Sequence, residues 1–186
     1  MNIDYFGKYF TSTGFDFPNL IEDDFMKPIK LLFNNKHYVS ASKLLMTFID
    51  SVGYVEYGDS SKNPFIDWLN SYADLTTVGV TSAELWEQRN SLLHMSNLDS
   101  RKVVAGKEKR LILYIGTLDA DAPTSDKIDK FYSFEHLILA LGTACENWFI
   151  SYDQDQPKIC GFIERYDLIA SDSRMLWIRK PTNEQL

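Results

Sequence analysis

Three polar residues close together in the sequence, Arg89, Asn90 and His94, are the side chains best suited to chemistry. Arginine presents a rigid fork of N–H donors that matches phosphate oxygens and keeps its positive charge. Histidine can take up or release a proton near neutral pH, and the amide of asparagine can orient a phosphate or an imidazole. The set therefore suits cleavage of an RNA phosphodiester bond without a metal ion.

Each residue has an expected role in such a reaction. His94 would act as general base on a ribose 2′-hydroxyl or as general acid on the leaving 5′-oxygen. Arg89 would stabilise the charge that develops on the phosphate, and Asn90 would orient the imidazole or the phosphate. Because one helix supplies one histidine and the reaction needs both an acid and a base, two chains that face each other would complete the site.

A well-marked helix, predicted over residues 81–96, carries these side chains. It opens with the capping box Thr81-Ser82-Ala83-Glu84. In this arrangement, the Thr81 hydroxyl and the Glu84 carboxylate each accept a hydrogen bond from the other residue's backbone amide. The capping box predicts where the helix begins and therefore which residues share its faces.

A helical wheel at about 100° per residue places Arg89 in the middle of the apolar stripe of this helix. A guanidinium there is costly unless it is paired or faces a ligand. Asp50, on an earlier predicted helix, is a candidate partner, and its carboxylate could also hold a catalytic guanidinium in place. One flank of the stripe carries a polar set made up of Asn90, His94 and Asn97. The outer face carries a second polar set: Glu84, Glu87, Gln88 and Ser91.

The other elements follow from apolar residues at helical spacing and from β-rich runs. After an irregular arm over residues 1–18, helices are predicted over 19–34, 38–52 (ended by Gly53), 64–72, 134–152 (with Ser133 as N-cap) and 157–169. Residues 109–116, preceded by Val103-Val104 across a turn at Gly106, predict a small β-hairpin, and residues 174–179 could add a strand. We therefore expect one mainly all-α domain, with core helices over 19–100 and a hairpin plus additional helices over 101–186.

The composition limits which ligands the chain can bind. It has 186 residues, 45% of them hydrophobic, and a formal net charge of −7. Such a chain can bury a core, whereas its mean field repels nucleic acid, so an RNA would need a local basic cleft. The acidity could instead serve solubility alone. Residues 81–116 hold six basic and four acidic side chains, and we assign weaker supporting or substrate-binding roles to Asp50, Ser96, Asn97, Arg101 and Lys102.

Several classes of protein are not expected. Cys145 and Cys160 form no CxxC pair and are typical of free thiols in a reducing cytosol. The sequence shows no signal peptide and no apolar run of about 18 residues, so we expect a cytoplasmic protein without a membrane segment. Because no histidine, cysteine or aspartate cluster has metal-ligand spacing, we expect neither a metal nor another cofactor. His37, His136 and most aromatic residues are interpreted as structural.

The sequence Arg89-Asn90-x-x-x-His94 on a helix resembles the motif of the HEPN superfamily (higher eukaryotes and prokaryotes nucleotide-binding domain). Nuclease members carry an arginine, often followed by a polar residue such as asparagine, and a histidine four to six residues after the arginine. The wider sequence Leu85-Trp86-x-x-Arg89-Asn90-x-Leu92-Leu93-His94-x-Ser96 is similar to the motif helix, and residues 41–68 look like the helices before it. The resemblance covers residues 20–100.

This resemblance implies a HEPN-like helical bundle that dimerises with both motifs at the interface and cleaves RNA without a metal. It implies that Arg89 and His94 are catalytic and that Asn90 supports them. Typical settings are toxin–antitoxin modules and other defence systems, so the expected partners are an RNA substrate, a second copy of the chain and an antitoxin or regulatory protein. One toxin subgroup has a tyrosine two residues after the histidine, which a nucleotidyltransferase antitoxin modifies. Here Ser96 occupies that position.

Two alternatives remain open at this stage. The chain could be a non-catalytic HEPN-like module that binds RNA, a nucleotide or a protein partner, in which case the motif would be buried in salt bridges or the dimer would place the two motifs apart. It could also be an unrelated helical interaction protein in which the motif occurs by chance. In that case His94 would be an ordinary surface histidine near a helix end, favoured there by the helix dipole.

Overall fold

The computed structural model describes residues 7–95, 98–122, 129–153 and 155–170. Most of them are helical, which confirms the expected mainly α-helical fold. The regular elements, in chain order, are β1 (Phe10–Thr11), β2 (Gly14–Phe15), α1 (Phe17–Ile21), α2 (Lys27–Asn34), α3 (Tyr38–Tyr57), α4 (Pro64–Tyr72), α5 (Ser82–Asn90), α6 (Arg101–Val104), β3 (Arg110–Tyr114), β4 (Asp129–Ser133), α7 (Phe134–Asp153) and α8 (Gln156–Ala170). The π-helical segment Glu22–Met26 joins α1 to α2, and a second one, Ser91–Met95, extends α5.

The core is built around α3, which contacts α2, α4 and α8. Phe48 and Ile49 of α3 are completely buried. Phe48 packs against Trp68 of α4 with ring centroids 5.9 Å apart, and Trp68 in turn packs against Trp148 of α7 at 5.9 Å. Burial of these large apolar side chains is the main stabilising contribution to a fold of this size.

The helix predicted to stop at Gly53 continues to Tyr57, so the predicted end was wrong. Gly53 is buried against the start of α4, and a Cβ atom there would lie only 2.6 Å from the backbone oxygen of Pro64. Glycine is required at this position by the close approach of two backbones, not by a helix end. The predicted bounds of α4, residues 64–72, are confirmed.

The N-terminal arm is also more regular than predicted. Phe10 and Thr11 pair antiparallel with Phe15 and Gly14, so residues 1–18 are not an irregular arm throughout. Helix α1 begins at Phe17, because the Asp16 carboxylate accepts a hydrogen bond from the backbone amide of Asn19 at 3.2 Å. This N-cap was not predicted from the sequence.

The predicted β-hairpin was wrong. Residues 101–104, which contain Val103-Val104, form α6, capped by the Ser100 hydroxyl, which accepts from the Val103 amide at 3.2 Å. Strand β3 pairs instead with β4, in parallel, in a register that aligns Arg110 with Asp129. Parallel strands need a long connection, and here residues 115–128 provide it. The C-terminal half therefore contains a small parallel sheet with helices around it.

Some predicted features fall outside the described residues: the strand at 174–179 and the side chains of Ser96 and Asn97. The predicted N-cap at Ser133 is confirmed, since its hydroxyl accepts from the backbone amide of His136 at 3.2 Å. Among the described residues, no helix combines the length and the apolar character needed to cross a bilayer.

Candidate functional site

Helix α5 lies between α4 on one side and β3 on the other, which fixes the position of its side chains. Its N-terminus has the predicted capping box. The Thr81 hydroxyl accepts from the Glu84 amide at 3.2 Å, and the Glu84 carboxylate accepts from the Thr81 amide at 2.7 Å. Lys130 of β4 also donates to Glu84, at 2.8 Å. The start of α5 is therefore tied to the neighbouring sheet.

The expected outer face of α5 is covered, so the assignment of these residues to solvent was wrong. Glu87, Gln88 and Ser91 are at most 5% exposed. The sheet lies against this side, where the Tyr132 hydroxyl of β4 donates to Gln88 at 2.9 Å. Lys102 of α6 forms an ion pair with Glu87 at 2.7 Å. The wheel could not anticipate this, since it assumes that a helix is buried on one side only.

A π turn at the C-terminal end of α5 brings His94 to Arg89. In an uninterrupted α-helix, the two side chains would lie about 140° apart around the axis. From Ser91 to Met95 the helix is π-helical, and its hydrogen bonds join residues five apart instead of four. The side chains of residues 89 and 94 therefore lie on the same side, with Arg89 Nη1 3.0 Å from His94 Nε2. Such turns are frequent at functional sites.

The Arg89 guanidinium is held from three directions. Its Nε donates to Asp50 Oδ2 of α3 at 2.9 Å, and Nη2 donates to the same oxygen. Its Nη1 donates to Asn90 Oδ1 at 3.2 Å, and the guanidinium carbon lies 5.0 Å from the centre of the Trp86 ring. The ion pair suggested by the sequence is therefore present, and it leaves the Arg89 side chain 17% exposed.

The contact with Arg89 orients the imidazole. A guanidinium has only donors, so a hydrogen bond between the two groups needs His94 Nε2 as the acceptor. The His94 side chain is otherwise exposed. The structure therefore contains a histidine that is accessible and oriented by an arginine.

The other predicted supporting residues are more dispersed. Arg101 is exposed on α6, and Lys102, next to it, is paired with Glu87. Arg110 donates to Asp99 at 2.7 Å and to Asp129 at 3.3 Å. The positive charge counted between residues 81 and 116 is thus partly neutralised, and the support for a basic cleft is weaker than the count suggested.

Trp86 is a member of the site that the sequence reading treated only as part of the apolar stripe. It is half-buried, lies beneath the Arg89 guanidinium and packs against Phe65 of α4 with ring centroids 5.4 Å apart. Its position three residues before Arg89 was the available signal, because residues three apart share a helix face. Trp86 and Asp50 together keep the guanidinium in place.

Among the described residues, no group of three or more His, Cys, Asp or Glu side chains is placed to bind a metal ion. The site therefore consists of an arginine, a histidine, an asparagine and an aspartate beside a tryptophan. The chain matches no protein-family model, no curated protein and no solved structure. Membership of the HEPN superfamily accordingly stays a prediction that depends on Arg89-Asn90-x-x-x-His94.

Proposed function

We propose that this chain is a metal-independent endoribonuclease of the HEPN type, in which Arg89 and His94 are the catalytic residues. The observation that carries the proposal is the 3.0 Å contact between Arg89 Nη1 and His94 Nε2. It puts a phosphate-binding cation and an imidazole within reach of one phosphodiester group. Asn90 and Asp50, which both accept from the guanidinium, are positioning residues.

The binding of phosphate and the release of the base are coupled in this arrangement. Arg89 Nη1 is engaged by Asn90 and His94, whereas Nε and Nη2 are engaged by Asp50. A substrate phosphate that accepts hydrogen bonds from Nη1 displaces the imidazole and frees His94 Nε2. That nitrogen then accepts the proton of a ribose 2′-hydroxyl. His94 Nε2 is therefore free to act as a general base only when a phosphate is bound at Arg89.

The bonds that change follow from this placement. The 2′-oxygen attacks phosphorus, the bond from phosphorus to the 5′-oxygen breaks, and a general acid gives a proton to the leaving oxygen. The products are a 2′,3′-cyclic phosphate and a 5′-hydroxyl. Arg89 stabilises the charge on the phosphate in the transition state. The acid is His94 of a second copy of the chain in its protonated form, which gives its proton to the leaving 5′-oxygen, so the active form is a dimer, as the resemblance implies. A toxin or defence effector is the corresponding biological role.

The second candidate is a non-catalytic module that binds RNA, a nucleotide or a protein. It is favoured by one observation, the engagement of Arg89 by Asp50, Asn90 and His94 inside the same chain. An arginine with a purely structural role would make the same kind of hydrogen bonds as Arg89 makes here. The exposed His94 imidazole argues against this alternative, since a purely structural contact does not need an accessible ring.

Analysis of the product ends tests the proposed chemistry. A mixed RNA pool is incubated with the protein in EDTA, and the new ends are identified. We expect 2′,3′-cyclic phosphate and 5′-hydroxyl ends, and no cleavage at positions that carry a 2′-O-methyl group. Products with a 5′-phosphate, or cleavage that persists beside a 2′-O-methyl group, would contradict attack by the 2′-hydroxyl.

A further inference from the structure

A cleft of about 390 Å³ lies beside the Arg89–Asp50 pair. Its walls come from α3, from the start of α4, from α5 and from the end of α8. The lining residues used below are Asp50, Tyr54, Lys62, Phe65 and Trp86. Its volume lies within the range of small-molecule sites, and its lining is mainly apolar, as in such sites.

The cleft and the candidate site share two residues. Asp50 accepts from Arg89, and the Trp86 ring lies under the same guanidinium, yet both also line the cleft. A group bound in the cleft is therefore separated from the guanidinium of Arg89 by no more than one side chain. A nucleotide is the natural ligand for such a pair of subsites, because its phosphate and its base are joined by one ribose.

The chemistry of the lining suits a flat aromatic ligand. Tyr54 and Trp86 are half-buried, and Trp86 contacts Phe65, with ring centroids 5.4 Å apart, and the Arg89 guanidinium, at 5.0 Å. A ring that these contacts already hold in place loses little conformational freedom when a base packs against it. Most of the described aromatic residues pack in or against the core, whereas these two also line the cleft.

The rim of the cleft offers polar groups. Lys62 is exposed and forms no ion pair with any described residue. Its ammonium can contact the phosphate on the far side of the bound nucleotide. A lysine on the rim also lowers the repulsion between RNA and a chain of net charge −7.

We propose that this cleft binds the nucleobase next to the phosphate held at Arg89, with Tyr54 and Trp86 as stacking residues and Lys62 as a phosphate contact. The inference rests on the proposed function, because it takes the phosphate at Arg89 as its anchor. It goes beyond that function by assigning a specificity-determining subsite to residues outside the Arg89-Asn90-x-x-x-His94 motif.

The test measures binding, so that it does not depend on catalysis. The probe is a 2′-O-methyl trinucleotide, which lacks the attacking hydroxyl, together with its counterpart whose central base is absent. We expect the intact probe to bind the wild type about five- to tenfold more tightly than the abasic probe, given the free energy of stacking one base on an aromatic side chain. Tyr54→Leu should remove most of that difference and leave the affinity for the abasic probe unchanged.

The lysine gives a second, independent arm. Lys62→Ala should weaken both probes about threefold and reduce the salt dependence of binding. Lys27→Ala removes the same charge from an exposed position that does not line the cleft, and it should leave binding unchanged. Thermal unfolding checks that each variant is folded. If Tyr54→Leu is not folded, the inference is still tested by the affinities of the two probes for the wild type and for Lys62→Ala.

Three results would overturn the inference: no binding of the intact probe at millimolar concentration, equal affinity for both probes, or an equal loss for both probes in Tyr54→Leu. These results differ from failure of the proposed function. Base-dependent binding without any RNA cleavage would support the cleft as a nucleobase site and contradict the proposed ribonuclease activity. RNA cleavage without base-dependent binding would contradict only the proposal that the cleft binds a nucleobase.

Discussion

At the scale of single residues, the carboxylate of Asp50 does the most to set the geometry of the site. It accepts from both Nε and Nη2 of Arg89, so the remaining nitrogen, Nη1, faces Asn90 and His94. Without this carboxylate, the guanidinium has no fixed orientation at the edge of the core. Catalysis would then lose its cation together with the contact that orients the histidine.

Replacement of Asp50 by alanine tests this role. Because the pair is partly exposed, we expect a loss of about 1 kcal/mol in the free energy of unfolding, well below the cost of breaking a fully buried pair. RNA cleavage should fall more than tenfold. Denaturant unfolding and initial cleavage rates check both effects. The control is Asp59→Ala, since Asp59 is exposed and does not contact Arg89. Cleavage by Asp50→Ala at the wild-type rate would contradict the role.

The site could be predicted from the sequence only in part. Arg89, Asn90 and His94 were found because they lie close together in one helix, and Asp50 because a guanidinium on an apolar stripe requires a partner. The π turn was missed, since a wheel assumes one rotation per residue throughout. The contact between Arg89 and His94 therefore comes from the structure, and so does the place of Trp86 beneath the guanidinium.

At the scale of elements, the passage of α3 past α4 sets the distance between Asp50 and α5. Gly53 lets the two backbones meet. Gly53→Ala should lower the free energy of unfolding by about 1–3 kcal/mol, because its methyl group would force the backbone at Pro64 to move. Gly142→Ala is the matched control: this glycine is also within a helix, is exposed and has nothing near its Cβ position. The control should raise the free energy of unfolding by up to about 1 kcal/mol.

Denaturant unfolding of both glycine variants separates local packing from helix propensity. A loss in Gly53→Ala together with a gain in Gly142→Ala is expected. If Gly53→Ala were as stable as the wild type, the close contact between α3 and α4 would not require glycine at position 53.

A polar network at Glu56 joins four helices. This carboxylate of α3 accepts from Tyr72 of α4 at 2.7 Å and from Trp148 and Tyr152 of α7 at 2.9 and 3.0 Å, and it pairs with Lys158 of α8 at 2.6 Å. Burial raises the pKa of the Glu56 carboxyl, but the hydrogen bonds from Lys158, Trp148 and Tyr72 outweigh it, so the pKa is below its ordinary value. The network therefore favours the charged form.

The lowered pKa of Glu56 predicts a pH dependence of stability. The folded state binds the proton less tightly than the unfolded state, so the stabilisation is fully present above the ordinary glutamate pKa of about 4.5. It is lost as the pH falls through the lower folded-state pKa. The difference in unfolding free energy between the wild type and Glu56→Gln should be largest above pH 5 and shrink in more acidic solution. A difference that did not change from pH 7 to pH 3 would contradict this linkage.

Helix positions were largely predictable from apolar spacing, because the pattern depends on neighbours within one or two turns. The direction of the sheet was not, because β3 finds its partner beyond a connection of residues 115–128. The sequence of Val103-Val104 favours a strand, but the Ser100 cap starts a helix there. The strand propensity of the two valines was overridden by the hydrogen bond from the Val103 amide to the Ser100 hydroxyl.

At the scale of the whole molecule, one chain provides only half of the proposed chemistry. A dimer would bring a second His94 to the site and would concentrate positive charge within an acidic protein. Light scattering during size-exclusion chromatography should give twice the mass of one chain. We expect an excess of His94→Ala chains to inhibit the wild type when the two are mixed, because a mixed dimer would retain only one of the two His94 side chains that the proposed reaction needs. A strictly monomeric active protein would contradict the composite site.

The most direct measurement of the central claim is cleavage of a mixed RNA pool in EDTA by the wild type, by His94→Ala and by His136→Ala, all checked for folding. His136 is also exposed and lies on α7, outside the site, so it controls for the loss of a histidine. The account predicts cleavage by the wild type and by His136→Ala, and a loss of at least a hundredfold in His94→Ala. Equal cleavage by all three proteins, or none by any of them, would contradict the assignment of His94 as a catalytic residue.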